Sequence, residues 1–249
     1  MRSEPSVTAD ETGWKVGGHL HWAWVFVSRR MTVYSIQPGR GYEQGKVILG
    51  DDFTGFLVRD GWNGYRGFTG AVHQSCCAHL LRRCREMIAG AGEAHPAARF
   101  PGQVHGLLQQ ALQLRDRHDQ GQISTHGLAV ARGRIEAQMD RALTRNQSSP
   151  ENQRLANHLR REQEWLFPFL HCEGLEATNW RAEQAIRPLV VTRKVWGGNR
   201  TQNGARTQGI LSSILQTCRQ QMRSFAGFVH DLVGSPQPRV IDLTVPIDK

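Results

Sequence analysis

His19 to Ser28 reads HLHWAWVFVS and Met31 to Gln37 reads MTVYSIQ. Aromatic and β-branched residues dominate both runs. Gly17-Gly18 stands before the first and Ser28-Arg29-Arg30 between the two, so each run is expected to be a strand bounded by a tight turn. Ser6 to Thr12, with Val7 and Thr8, supplies a third strand upstream. Three consecutive strands joined by short turns predict an antiparallel meander. Pro38-Gly39-Arg40-Gly41 punctuates its end, Tyr42 to Leu49 fits a short helix, and Phe56-Leu57-Val58 reads as a buried fourth strand stopping at Asp60-Gly61.

Downstream the period changes from two to about 3.6. Between Gln74 and Ala89, Cys77, Leu80, Leu81, Cys84 and Ile88 recur every three to four residues, with Arg82, Arg83 and Arg85 on the opposite face. From Glu93 to Trp165 there is no strand pattern. Apolar residues repeat at helical spacing in Val104 to Leu114, Leu128 to Leu143 and Leu155 to Trp165, separated by Pro96, Pro101, Gln120-Gly121 and Asn146 to Pro150. This segment is expected to be a helical insertion. Beyond Pro168 the pattern predicts a helix from Asn179 to Ile186 ending before Arg187-Pro188, a glycine-containing stretch from Gly197 to Gly204, and one long helix from Ala205 to Val233. The proline-bearing residues 235–249 read as a tail. The fold class is therefore α/β, a sheet whose first three strands are antiparallel, flanked by helices.

The 249 residues are 39% hydrophobic and 21% charged, an ordinary globular composition that excludes collagen-like and wholly disordered chains. A chain of this length buries roughly 70 to 75% of its unfolded surface and needs no disulfide framework. Five cysteines, an odd count behind an N-terminus without an apolar signal region, read as reduced thiols in a cytoplasm. The most apolar stretch, His19 to Ser28, is too short to span a bilayer. Lys and Arg number 31 against 22 Asp and Glu, and the net charge of +9 favours a polyanionic partner.

In so basic a chain the position of the acids is informative. Between Ala177 and His230 the one acidic residue is Glu183, amid Arg181, Arg187, Arg193, Lys194, Arg200, Arg206, Arg219 and Arg223. It reads either as an ion-pair partner or as a metal ligand among phosphate-binding cations, the combination that phosphodiester chemistry requires. Asp10 lies in the first strand beside Glu11, and Asp60 closes the fourth. Each reads as a turn or strand-end aspartate or as a second and third carboxylate of the same site. An acid on strand one, an acid ending strand four and a glutamate on a late helix follow the order of ribonuclease H-like nucleotidyl transferases.

Ala9-Asp10-Glu11-Thr12-Gly13-Trp14, His21 to Val25, Val58 to Tyr65, Cys77 to Arg83, Asn179 to Pro188 and Arg193 to Gly204 together resemble the insertion sequence sixty-six transposases, the TnpC-type DDE enzymes. The resemblance implies a ribonuclease H-like mixed sheet with a catalytic triad at Asp10, Asp60 and Glu183. It implies two Mg²⁺ or Mn²⁺ ions held by those three carboxylates, and cleavage and strand transfer of double-stranded DNA. On this basis residues 1–92 and 166–234 form the catalytic core and 93–165 the insertion. Arg187, Arg193, Lys194, Arg200 and Arg206 are the candidate phosphate contacts. A homo-oligomer on DNA and accessory proteins of the same element are expected partners. The family carries a long end-recognition region ahead of its catalytic domain, whereas Asp10 here follows nine residues, so a catalytic region alone is expected. An inactive DNA-binding remnant and a structure-directed nuclease are the alternatives. Cys76 to His79 has the spacing of a zinc pair, but no second pair lies nearby, and Cys76, Cys77 and Cys84 read as helical core residues.

Overall fold

The computed structural model describes residues 1–147 and 149–234; the expected tail at 235–249 lies outside the described residues. In chain order the elements are β1 (Ser6–Val16), β2 (His19–Val27), β3 (Thr32–Gln37), α1 (Tyr42–Leu49), β4 (Phe56–Arg59), β5 (Val72–Ser75), α2 (Cys77–Ala91), α3 (Arg99–Asp119), α4 (Thr125–Thr144), α5 (Pro150–Glu162), α6 (Trp180–Trp196), α7 (Gln202–Gln220) and α8 (Phe225–Gly234). The architecture is mixed α/β. The five strands follow the order β3-β2-β1-β4-β5, and β1-β2 and β2-β3 pair antiparallel as the meander predicts.

The chain folds as two compact units. The first holds Met1–Leu57, Trp62–Ala71 and the described chain from Trp180 onward. Alternation along its strands makes two cores. Val7 and Ala9 with Trp24 and Phe26 bury against Leu49, Phe53, Tyr65 and Phe68. On the other face Trp14, Val16, Ala23, Val25 and Tyr34 pack with Ala182, Ala185, Ile186 and Leu189 of α6 and Ala205 of α7. The edge strand β3 is closed by hydroxyls of α7. Tyr34 N–H donates to Ser213 Oγ at 2.8 Å and Thr32 N–H to Thr217 Oγ1 at 3.1 Å, so these two outward N–H groups are paired within the unit. Gly209 admits this approach, since Tyr34 O would stand 3.2 Å from a Cβ there.

Two helices depart from expectation. α6 runs through Pro188 to Trp196 instead of stopping at Ile186. An interior proline costs about 3 kcal/mol, and the burial of Ala182, Ala185, Ile186 and Leu189 offsets it. Tyr34 supplies a further tie one turn ahead of the proline, its hydroxyl donating to Ala185 O at 2.5 Å. The expected single helix from Ala205 to Val233 is two. Met222 sits at φ 56° and Arg223 N–H turns back to Cys218 O at 2.8 Å, ending α7, and Ser224 then caps α8 through Gly227 N–H at 3.1 Å.

The Gly197-Gly198-Asn199 stretch after α6 is a built joint. Asn199 forms a parallel bridge with Val16, its N–H donates to Lys15 O at 2.9 Å, and its Oδ1 accepts from Trp14 Nε1 at 2.8 Å. Gly198 has φ 138°, and a Cβ there would overlap the Lys15 carbonyl.

The second unit holds Val58–Gly61 and Val72–Asn179. β5 was not anticipated: the helical pattern read from Gln74 begins at Cys77, and Val72–Ser75 is strand. Gln74 staples this strand to the later chain, donating to Leu166 O at 3.2 Å and accepting from Phe169 N–H at 3.1 Å. The first two apolar helical runs lie in α3 and α4; the third, Leu155 to Trp165, is α5 as far as Glu162 and then a 3-10 turn over Gln163–Trp165, and Ser124 and Ser149 are the side-chain caps of α4 and α5.

Gly198→Ala should destabilise the protein by more than about 1 kcal/mol in denaturant unfolding, because both the backbone angle and the carbonyl contact oppose a Cβ; unchanged stability would contradict the joint. Burial pushes the Tyr34 phenol up to about 12. Its neutral form is the folded one, so its contribution is intact below the ordinary tyrosine range and fades as pH rises toward 12. In ultraviolet titration the parent should differ from Tyr34→Phe by one tyrosine that ionises late, and a difference that titrates in the ordinary range would contradict this.

Candidate active site

The period of two along β1 separates its two acids. Glu11 pairs in register with Trp24 and is buried on the side of Phe26 and Tyr65. Its carboxylate accepts from Arg40 Nε at 2.6 Å and from the Tyr65 hydroxyl. Arg40 is itself stacked between Trp22, at 4.6 Å from the ring centroid, and Trp62, at 3.9 Å, while Trp62 Nε1 donates to Arg40 O at 2.7 Å. Glu11 is thereby committed to holding the Pro38–Gly41 turn and the Trp62–Tyr65 segment.

Asp10 pairs with Val25, whose side chain belongs to the core on the α6 side. It is half-buried, and Oδ1 accepts the Glu11 N–H at 2.9 Å. Glu183 lies in the first turn of α6, flanking Ala182 and Ile186, which pack into that same core. The first unit thus puts Asp10 on the sheet face that α6 covers and Glu183 on that helix.

The candidate cations of this unit differ in exposure. Arg187 and Lys194 on α6, Arg200 in the following turn and Arg206 on α7 are exposed. Arg193 is half-buried, and its guanidinium donates to Thr12 Oγ1 at 3.0 Å and to Gly13 O, bonds that tie α6 to β1.

Asp60 lies in the second unit, directly after β4, half-buried. The residue before it, Arg59, is fully buried and forms an ion pair with the fully buried Glu162 at the end of α5. Ser75 Oγ donates to Glu162 Oε2 at 2.6 Å, Arg59 Nε donates to His73 Nδ1 at 3.4 Å, and the guanidinium lies 4.8 Å from the Trp165 ring centroid. A second guanidinium nitrogen contact reaches forward, Arg59 Nη1 donating to Asp60 O at 2.9 Å. His158, one turn before Glu162, packs on Gly61 so closely that a Cβ at Gly61 would overlap its ring. Burial lowers the His158 pKa and the charges of Arg83, Arg161 and Arg59 act in the same sense, opposed by Glu162. These residues were not singled out in the sequence. Their signal was an arginine ending an apolar strand, and a glutamate at the Leu155, Leu159, Glu162 spacing on the buried face of a helix.

The sequence model of the family described as Transposase IS66 family matches residues 1–207. The chain belongs to that family. No curated protein and no solved structure matches it. The IS66 match takes in Asp10, Asp60 and Glu183 and ends within α7. Among the thiols of this IS66 transposase chain, burial pushes Cys84 up to about 12 and raises Cys77 as well, as for thiols packed in an apolar interior. Cys76 and His79 bring a sulfur and a ring nitrogen within 4.8 Å, and Cys76 Sγ also accepts Asn179 N–H at 3.4 Å. Among the described residues no helix is long and apolar enough to cross a membrane.

Glu162→Ala leaves Arg59 charged and buried without this carboxylate. Chemical denaturation should show a loss of about 3 to 5 kcal/mol, against less than about 1 kcal/mol for removing an exposed partner such as Glu151, which pairs with Arg154.

Proposed function

We propose that this IS66 family chain is a DDE catalytic region that cleaves DNA strands and joins them to new sites, with Asp10, Asp60 and Glu183 as the acids that hold two Mg²⁺ or Mn²⁺ ions. The observation that carries the reading is that Asp10 lies on the sheet face covered by α6, the helix that bears Glu183, within a family match that also spans Asp60. Carboxylate oxygens suit hard divalent cations. The donor set fits: the adjacent acids on β1 lie on opposite faces, Glu11 towards Arg40 and Tyr65 and Asp10 on the face that α6 covers. Bound ions of this kind supply activation of the attacking hydroxyl and stabilisation of the departing oxygen.

The protein's own work is to orient the phosphodiester and to hold the acids still. In cleavage, water forms a bond to phosphorus and the bond to the 3′-oxygen breaks, leaving a 3′-hydroxyl and a 5′-phosphate. In transfer that 3′-hydroxyl forms the new bond and a 3′-oxygen of the target strand departs, so one bond replaces another without an oxidant or a covalent enzyme intermediate. Arg187, Lys194, Arg200 and Arg206 are exposed and suited to backbone phosphates. Arg193 would serve by anchoring α6 to Thr12 and Gly13 as much as by touching DNA. The core is read as ribonuclease H-like over 1–92 and 166–234, with 93–165 inserted. Double-stranded DNA, a second copy of the chain and accessory proteins of the element are its proposed partners.

Labelled element ends incubated with the protein in Mg²⁺ should be nicked and joined, and Asp10→Ala, Asp60→Ala and Glu183→Ala should each abolish both steps while unfolding like the parent. Parent-like nicking by any of the three removes that residue from the assignment. Replacing Arg187 or Arg206 with Ala should lower the salt slope of DNA binding by about 0.9 per lost phosphate contact; an unchanged slope marks a solvated residue.

A further inference from the structure

We infer that the buried Arg59–Glu162 pair is a positioning device, through which the end of α5 fixes the backbone of Asp60; the inference rests on Asp60 being a metal ligand. Every contact in the argument lies within the second unit. Glu162 holds the Arg59 guanidinium from one side and is itself fixed by Ser75 Oγ at 2.6 Å. His73 Nδ1 accepts from Arg59 Nε, the Trp165 ring lies 4.8 Å from the guanidinium carbon, and that ring is itself packed 4.9 Å from the His73 ring between centroids. Nη1, so immobilised, donates to the carbonyl of Asp60 itself at 2.9 Å. Cys76 N–H closes the other side of the strand end on Arg59 O at 2.9 Å. From α5 the ring of His158 covers Gly61, leaving no room for a Cβ. The turn that carries Asp60 is therefore gripped at its carbonyl by Arg59, which Glu162 of α5 holds, and at its next residue by His158 of the same helix, about a hundred residues later in the chain.

Stability alone is a poor reason for such a pair, because volume-matched apolar residues often replace a buried ion pair at no loss. What apolar residues cannot supply is a planar fork with a donor left over for the Asp60 carbonyl. A metal ligand misplaced by a fraction of an ångström loses much of its affinity, and supporting residues around metal ligands commonly govern that placement. Glu162 and Arg59 are positioning residues in this sense, and α5 becomes part of the catalytic machinery without touching substrate.

The test uses Arg59→Lys, which keeps a cation beside Glu162 but loses the fork, and the double variant Arg59→Met with Glu162→Met, which removes both charges and orphans neither. Mn²⁺ binding is followed by the paramagnetic resonance of free Mn²⁺, and hydrogen exchange is read at the Asp60 and Gly61 amides. Both variants should unfold cooperatively, exchange faster at Asp60 and Gly61 than the parent, and bind Mn²⁺ at least about tenfold more weakly. A folded variant with parent-like exchange and parent-like Mn²⁺ binding overturns the inference. Should the double variant fail to fold, Arg59→Lys alone decides it. Asp60→Ala separates the premise: if it binds Mn²⁺ as the parent does, the ligand assignment fails, while the exchange measurement, which needs no metal, still reports whether α5 holds the turn.

Discussion

A slip of β1 by one residue against β2 would exchange Asp10 and Glu11 between the faces of the sheet, and the register Asp10 to Val25 and Glu11 to Trp24 is what the rest of the first unit depends on. It is over-determined. Val7 and Ala9 on one face and Trp14 and Val16 on the other are buried, so either shift would drive core residues into the wrong layer. The same alternation divides labour between neighbouring carboxylates. Glu11 is locked by Arg40 and Tyr65 and orders two loops, whereas Asp10 faces the layer of α6.

α6 then presents several kinds of side chain on one cylinder. Its small residues, Ala182 and Ala185, allow close approach to the sheet. Glu183 flanks that buried stripe, and Arg187 and Lys194 stand in solvent. The helix is held at its far end by Arg193 on Thr12 and Gly13, and beyond it by Asn199 on the end of β1. The glycines of the Trp196-Gly197-Gly198-Asn199 stretch are structural: they let the chain leave the helix and run beside β1 at a distance no side chain permits.

Much of this was legible in the sequence because period and turn chemistry are local. The three-stranded meander, the short helix over Tyr42–Leu49 and the apolar strand before Asp60 follow from alternation and from Gly-Gly and Pro-Gly punctuation. What was not legible was tertiary. Pro188 reads as a helix end, and burial of Ile186 and Leu189 across it overrode that preference. β5 is four residues long and abuts the α2 pattern, so its period could not be separated. The break at Met222 lacks a glycine. In the candidate site the proposed acids and cations come from order, charge and the family resemblance, whereas the pair behind Asp60 depends on residues 59 and 162 meeting across a long sequence separation. A strand arginine and a helix-face glutamate are each ambiguous until the fold joins them.

The central claim is that Asp10, Asp60 and Glu183 hold the metal ions of a strand-transfer enzyme. Crystals of the protein soaked in Mn²⁺ and measured at a wavelength where manganese scatters anomalously would test it directly. The account predicts anomalous peaks in contact with carboxylate oxygens of all three residues, and their loss in Asp60→Ala. Manganese bound at other carboxylates, with none touching Asp10, Asp60 or Glu183, would contradict it.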